Sequence, residues 1–293
     1  MNAPRAGGGP RRTEKGVRPI SAAFERAGSE GRAAFVPYLT AGDPDSESTV
    51  ELARCLDRAG ADILELGVPF SDPIADGPVL QRAAVRALAS GTTVDSVLEI
   101  ARRIRRETSL ALVLFTYLNP LLRYGLRRAA RDARAAGFDG VLVTDLPPEE
   151  APGYRPHLAA AGLDTIFLVS PTSTPARMKA AARLSTGFLY VVSRCGITGA
   201  RDALPAGLGE TVRRARRCAP ALPLAIGFGI STPDAAARAA ALADGVVVGS
   251  ALVRAAEEAR KEGQPAGEAV ARLAGALASA CRRDAGAKKI RRA

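Results

Sequence analysis

The apolar residues of this chain fall into short blocks that do not alternate with polar ones. Such runs lie near residues 34–39, 63–67, 111–115, 140–143, 165–169, 188–192, 224–227 and 245–248. They are too short for helices, and without alternation they read as strands buried on both faces. One phrase recurs just before several of them: Ala59-Gly-Ala-Asp-Ile, Ala136-Gly-Phe-Asp-Gly and Ala161-Gly-Leu-Asp-Thr, with a looser copy at Ala243-Asp-Gly-Val. In the three full copies a glycine marks the place where a helix stops, because glycine takes the left-handed conformation past a helix end without strain.

Helix, turn and buried strand in repetition mean a parallel sheet. Helices are expected over residues 47–59, capped by Asp45 or Ser46, and over residues 233–242, with Ser231 as cap and Pro233 near the first helical position. A long final helix is expected over residues 251–281, and an extra N-terminal helix over residues 20–30, closing the bottom of the sheet structure. Eight strands in about 290 residues predict an α/β fold of the closed (β/α)8 TIM-barrel type. An open doubly wound sheet would carry a G-x-G-x-x-G turn after its first strand, and Tyr38-Leu-Thr-Ala-Gly-Asp-Pro is not one.

Composition bears on partners. The formal net charge of +11 invites a polyanion reading, but it is concentrated at the ends: residues 1–18 carry +4 and residues 282–293 carry +5, leaving +2 on the body. The ends lack apolar periodicity and are expected to be flexible, disordered basic tails flanking a single catalytic barrel domain over residues 19–281. A near-neutral body argues against nucleic acid as the main partner. No apolar run approaches the length of a membrane span, and the N-terminus has no apolar signal region, so a cytoplasmic protein is expected. The cysteines Cys55, Cys195, Cys218 and Cys281 have no C-x-x-C spacing and His157 is the only histidine, so no metal site is expected. His157 lies in a predicted helix without partners for catalysis and reads as a packing or surface residue.

In a barrel of this kind, chemistry sits at the C-terminal ends of the strands. Glu65 interrupts an apolar strand there, where a carboxylate is costly unless paired or protonated; a neutral, raised-pKa carboxyl suits general acid–base work. The loop after it is punctuated by Pro and Gly and carries Asp72 and Asp76. Gly227-Phe-Gly-Ile-Ser follows the seventh strand, and Gly249-Ser250 follows the eighth and opens a helix. Bare N–H groups at those two positions predict a phosphate site.

The string Leu64-Glu-Leu-Gly-Val-Pro-Phe-Ser-Asp-Pro-Ile-Ala-Asp-Gly-Pro78 resembles the signature of the tryptophan synthase α-subunit family. Phe35-Val-Pro-Tyr-Leu-Thr-Ala-Gly-Asp-Pro, Val191-Val-Ser-Arg-Cys-Gly-Ile-Thr-Gly and Gly227-Phe-Gly-Ile-Ser are similar to further motifs of that family, from about residue 20 to about residue 280. The resemblance implies a lyase that cleaves indole-3-glycerol phosphate to indole and glyceraldehyde 3-phosphate, with Glu65 and Asp76 as catalytic carboxylates. It implies that Tyr38, Phe115, Leu142 and Leu168 line the indole pocket, with Tyr190 beside the substrate. Gly199, Phe228, Gly229, Gly249 and Ser250 match phosphate-site positions, and Thr198 matches a threonine of the sixth loop that closes on the aspartate. Cys195 stands in that loop where serine, threonine or an acid is commoner.

The resemblance further implies an αββα complex with a β subunit that carries pyridoxal phosphate, and no cofactor in this chain. The rim loop of residues 69–78 and the segment from Tyr117 to Leu122 share the active-site end. Pro69, Asp72 and Asn119 are expected at the β-subunit interface, and Phe70, Leu121 and Leu122 are expected to form an exposed apolar patch. Other phosphate barrels share the glycine turns but not the segment from Glu65 to Asp76. A non-catalytic binding barrel would have no use for both carboxylates.

Overall fold

The computed structural model describes residues 19–193, 205, 207–227 and 229–283. The first half of the chain gives α1 (Pro19–Ser29), β1 (Ala34–Thr40), α2 (Ser46–Arg58), β2 (Ile63–Gly67), α3 (Pro78–Ala89), α4 (Val94–Glu107) and β3 (Ala111–Thr116). Next come α5 (Leu118–Tyr124), α6 (Leu126–Ala136), β4 (Gly140–Val143), a 3-10 turn (Pro148–Gly153), α7 (Arg155–Ala160) and β5 (Asp164–Val169). The remainder is α8 (Pro175–Leu184), β6 (Leu189–Val192), α9 (Leu208–Cys218), β7 (Leu224–Gly227), α10 (Pro233–Leu242), β8 (Gly245–Val248), α11 (Ser250–Lys261) and α12 (Ala266–Ala280). All eight strands pair in parallel and in sequence order, and β8 returns to β1 to close the barrel. Among the described residues no helix is long and apolar enough to cross a membrane.

Strand residues alternate between two apolar layers. Phe35, Leu39, Leu64 and Leu66 pack outward against the helices, while Val36, Tyr38, Ile63, Val113 and Phe115 fill the barrel interior. With both faces covered, the strands carry no polar side to alternate, which is why their sequences read as plain apolar runs. The recurrent glycines do end helices: Gly60, Gly137 and Gly162 all have positive φ. Asp45 caps α2, accepting from the Ser48 N–H at 2.8 Å.

Two helix expectations are corrected. The cap of α10 is Thr232 and not Ser231; its hydroxyl accepts from the Ala235 N–H. The expected final helix over 251–281 is two helices, broken where Gly263 turns left-handed at φ 69° and Pro265 supplies no N–H to continue. Packing contacts also continue past 281. Arg282 bridges Arg32, the Arg283 N–H donates to the Gly31 carbonyl at 3.0 Å, and the Arg283 guanidinium reaches the Ala240 and Ala243 carbonyls.

Helix α1 plugs the N-terminal end of the barrel. Ile20 and Phe24 join the interior layer, and Phe24 begins an aromatic column through Phe188 (5.5 Å between ring centroids) to Tyr190 (6.3 Å further). Room for the plug comes from residues without side chains: a Cβ on Gly140 would lie 2.7 Å from Ile20 Cδ1.

The same end carries a repeated clamp. Asp62, just before β2, donates its N–H to the Phe35 carbonyl of β1 and accepts the Phe35 N–H on its carboxylate, both at 2.9 Å. Asp139 does this to Leu112 of β3, and Asp244 to Leu224 of β7. Before β6 the position is held by Thr186, whose hydroxyl accepts from the Thr165 N–H of β5 at 3.0 Å. Arginines neutralise the three acids, two of them buried and Asp244 partly so: Arg26 and Arg32 on Asp62, Arg105 on Asp139, and Arg216 on Asp244. Three of these four positions lie in or beside the recurrent Ala-Gly-x-Asp phrase, so the phrase records a hydrogen-bonding device as well as a turn.

Candidate active site at the C-terminal mouth of the barrel

Glu65 sits in register between Tyr38 of β1 and Val113 of β3, and strand alternation aims it into the barrel. It is 1 % exposed, and its Oε1 has no hydrogen-bond partner among the described residues. Burial alone pushes its carboxyl up to about 8, so near neutrality the group is largely an acid holding its proton. The alternative expected for a buried glutamate, an arginine partner, is not found among the described residues.

Asp76 lies in the loop between β2 and α3 and is also buried. Burial raises its carboxyl to about 6, and the neighbouring Tyr117 hydroxyl offsets part of that rise. Three contacts fix the loop. The Ala75 N–H donates to the Tyr117 hydroxyl at 3.0 Å, the Gln81 side-chain amide donates to the Asp76 carbonyl at 2.9 Å, and the Phe70 ring packs on Tyr117 at 5.3 Å. Sequence reading did not assign roles to Tyr117 and Gln81. The only hint was a tyrosine just past a strand end at the barrel mouth.

The two carboxyls differ in a useful way. Between about pH 6 and 8 Asp76 is ionised while Glu65 keeps its proton, so one site holds an anion and an acid together.

The expected pocket walls converge around Glu65. Tyr38 meets Phe115 edge-on at 5.0 Å, and Leu142, Leu168 and Tyr190 belong to the same interior layer. Burial first, then Asp76 and more weakly Glu65, push the Tyr38 phenol well above its ordinary value; burial and Glu65 do the same to Tyr190. Gly67 and Gly227 leave space for these two rings, since a Cβ on either would collide with the tyrosine hydroxyl beside it.

At the same mouth, after β8 and beside Tyr38, Gly249 precedes the first turn of α11 with no side-chain cap, and Ser250 is the first helical residue. The N–H groups at that helix start are free of side-chain competition and favour an anion. Gly229 holds φ 82°, a conformation that keeps its backbone bare. Thr198, Gly199 and Phe228, expected at the phosphate and sixth-loop positions, lie outside the described residues, as does Cys195. His157 is half-buried in α7, consistent with packing.

The apolar rim differs from expectation. Leu121 is buried in the core and not part of an exposed patch, because α5 turns it inward; Phe70 is half-buried on Tyr117. The exposed apolar residues of this rim are Ile74, at 79 %, and Leu122, at 53 %. Asp72 and Asn119 are exposed, whereas Pro69 is buried and offers little of its own side chain to a partner.

Comparison with known proteins agrees with this geometry. The sequence model described as tryptophan synthase alpha chain matches residues 24–282. The tryptophan synthase alpha chain of Solibacter usitatus is 55% identical over 218 residues, covering 74% of this chain and 81% of that protein. Among solved structures, the tryptophan synthase alpha chain from Legionella pneumophila superposes with a TM-score of 0.83 at 39% identity, over 90% of this chain and 97% of its own. A structure of Mycobacterium tuberculosis tryptophan synthase gives 0.83 at 38% identity, over 90% and 98%. With the family match spanning nearly the whole barrel and a relative more than half identical over most of it, the chain belongs to the tryptophan synthase alpha chain family.

Proposed function

We propose that Glu65 and Asp76 are the catalytic carboxyls with which this chain performs its family's reaction, the cleavage of indole-3-glycerol phosphate to indole and glyceraldehyde 3-phosphate. The observation that carries the assignment is the buried Glu65 carboxyl, whose Oε1 has no partner among the described residues, inside an aromatic-lined barrel mouth.

Breaking the bond between indole C3 and the glycerol carbon leaves an electron pair on C3, a poor place for it. Protonating C3 first turns the ring into an iminium-like electron sink, and a protonated Glu65 can supply that proton. The resulting Glu65 carboxylate then takes the proton of the adjacent hydroxyl. The O–H electrons form the aldehyde C=O, the C–C bond opens, and its electrons return to the ring. Glu65 ends as it began. Asp76, ionised, accepts the indole N–H and stabilises the positive charge that develops on the ring.

The rings of Tyr38, Phe115 and Tyr190 with Leu142 and Leu168 form the indole walls in this reading. Gly229, Gly249 and Ser250, with Gly199 and Phe228, receive the phosphate, and Thr198 is assigned to closure of the sixth loop on Asp76. Inorganic phosphate and glycerol phosphate should compete with substrate. Gly249→Val and Gly229→Val should each weaken that competition by about ten- to a hundredfold, the scale of a lost hydrogen bond to a charged group. At Gly249 a Cβ already stands 3.3 Å from Tyr38 Cβ, and at Gly229 a branched side chain meets a positive φ. Unchanged inhibition constants in both variants would place the phosphate elsewhere.

The same reading gives the chain a β subunit as partner in an αββα assembly, with pyridoxal phosphate held by that subunit and no cofactor assigned to this one. Exposed Asp72 and Asn119, next to the open apolar surface of Ile74 and Leu122, support the β1–β3 rim as the docking face. Residues 1–18 and those after Arg283 are assigned as basic tails outside the catalytic unit, and the cytoplasm as the site of action. The test is indole release from indole-3-glycerol phosphate with and without a cognate β subunit. Slow release alone and a rise in turnover of roughly tenfold or more on addition is the expected result, within the usual range of coupling between sites. Asp72→Ala or Asn119→Ala should cut that rise more than the basal rate. Full basal activity with no response to β subunit would leave a stand-alone lyase.

A further inference from the structure

Tyr117 lies just past the end of β3 and is buried. It precedes α5, yet its side chain makes no capping bond to that helix, and the Leu118 N–H is taken by Asp145 at 2.8 Å. The hydroxyl is directed instead to the loop after β2, where it accepts the Ala75 N–H at 3.0 Å and faces the Asp76 carboxylate. With its acceptor side occupied by Ala75, the hydroxyl has its own hydrogen left for Asp76. Phenylalanine would fill the same space and pack the same way on Phe70, so the hydroxyl needs an account separate from packing.

We propose that Tyr117 is the positioning residue for Asp76: seated between the Ala75 N–H and the Asp76 carboxylate, its hydroxyl aims the carboxylate into the pocket and keeps it ionised during turnover. This rests on the role proposed above for Asp76.

The other groups around Asp76, among the described residues, do not do this. Tyr38 from β1 lies between Asp76 and Glu65 and feels both, and Glu65 as an anion would only oppose the Asp76 charge. From α3, Gln81 bonds the main-chain carbonyl of Asp76, while Arg82 and Arg86 turn away to Glu257 and Asp43. Asp145, near Tyr117, is a further anion. Tyr117 is therefore the group that offsets the burial of the Asp76 charge. A donor that stabilises the anion lowers the carboxyl, and removing it raises the carboxyl, so the acid limb of the rate profile must move up.

The experiment is the pH profile of indole release by the full chain carrying Tyr117→Phe, run beside Asp76→Asn. The acid limb should rise by about one unit, the scale of one hydrogen bond to a charged group. The variant should be about fivefold slower than wild type near pH 6, approaching tenfold below about pH 5, and within about twofold above pH 8, with KM little changed. A wild-type-to-variant ratio that does not change with pH overturns the proposal, because a merely structural anchor for Ala75 would act equally at every pH. The carbon resonance of the Asp76 carboxyl, titrated directly, should midpoint higher in the variant; an unchanged midpoint also overturns it. Should Tyr117→Phe not fold, fluorotyrosine at position 117, a stronger donor, should move the acid limb down, and an unmoved limb is again fatal. If Asp76→Asn keeps wild-type activity, the role of Asp76 itself has failed. If Asp76→Asn is inactive while Tyr117→Phe matches wild type, the Tyr117 inference alone has failed.

Discussion

Glu65→Gln should lower cleavage by about a thousandfold or more while leaving the protein at least as stable as wild type. The amide keeps the shape of the side chain in a site where one carboxyl oxygen already lacks a partner, so packing changes little. What is lost is the transferable proton, which is needed twice in each turnover. The stability half of the result follows from linkage. The Glu65 carboxyl rises from 4.5 in a free chain to about 8 in the folded protein. Between those values the folded state holds a proton that the unfolded chain has released, so stability falls as pH rises through the window. Glutamine has no such proton to lose. The variant should therefore melt close to wild type near pH 5 and above it near pH 8. Thermal melts at the two pH values, with an indole assay on the same samples, check both halves. Wild-type cleavage, or a variant less stable than wild type at pH 8, would remove Glu65 from its role.

Asp76→Asn should cost about a hundred- to a thousandfold in kcat, the usual effect of deleting one electrostatic stabiliser aimed at developing charge. Its carboxylate is asked to accept the indole N–H and to face a ring that becomes cationic. The amide removes the charge and can present an N–H to another N–H. Because the charge matters most after the ring is protonated, the loss should fall on kcat more than on KM. With the Asp76 carboxyl raised to about 6, the wild-type rate should fall on an acid limb near that pH, and the limb should vanish from what activity the variant keeps. A kcat within a few fold of wild type would exclude it.

The order and limits of the strands were legible because a strand covered on both faces leaves an uninterrupted apolar block, and because helix-ending glycines mark where three of the blocks begin. Glu65 was legible for the converse reason: a carboxyl inside such a block has no structural excuse. The break at Gly263 and Pro265 was also written in the chain, but the apolar periodicity on both sides of it suggested one helix. Leu121 illustrates a different limit. Its neighbour Leu122 has the same character and emerges on the surface; which of two adjacent leucines turns inward depends on where α5 lies against the sheet. Gln81 carries no local signal of a site residue, and Tyr117 carries only its place just past a strand end. The hydroxyl of Tyr117 meets an N–H 42 positions earlier, and only closure of the barrel brings the two together. The clamp aspartates had been noticed as part of a turn phrase, with no way to see the neighbouring strand they hold.

Those clamps divide the barrel into four staves. Each joins an odd strand to the even strand that follows, across 20 to 27 residues of chain, and none joins an even strand to the next odd one. Every stave can lock its own alignment from a nearby stretch of chain, at a modest loop-closure cost. The ring can then assemble from four pre-aligned pieces in place of eight separate strands. A protein re-cut between β4 and β5, with its old ends joined, would keep each stave on one continuous stretch. A cut between β3 and β4 would send the two sides of one clamp to opposite ends of the new chain. All four fastenings lie at the plugged end, so the loops at the other end can change length or swing over substrate without loosening the alignment of the strands that carry Glu65 and Tyr190.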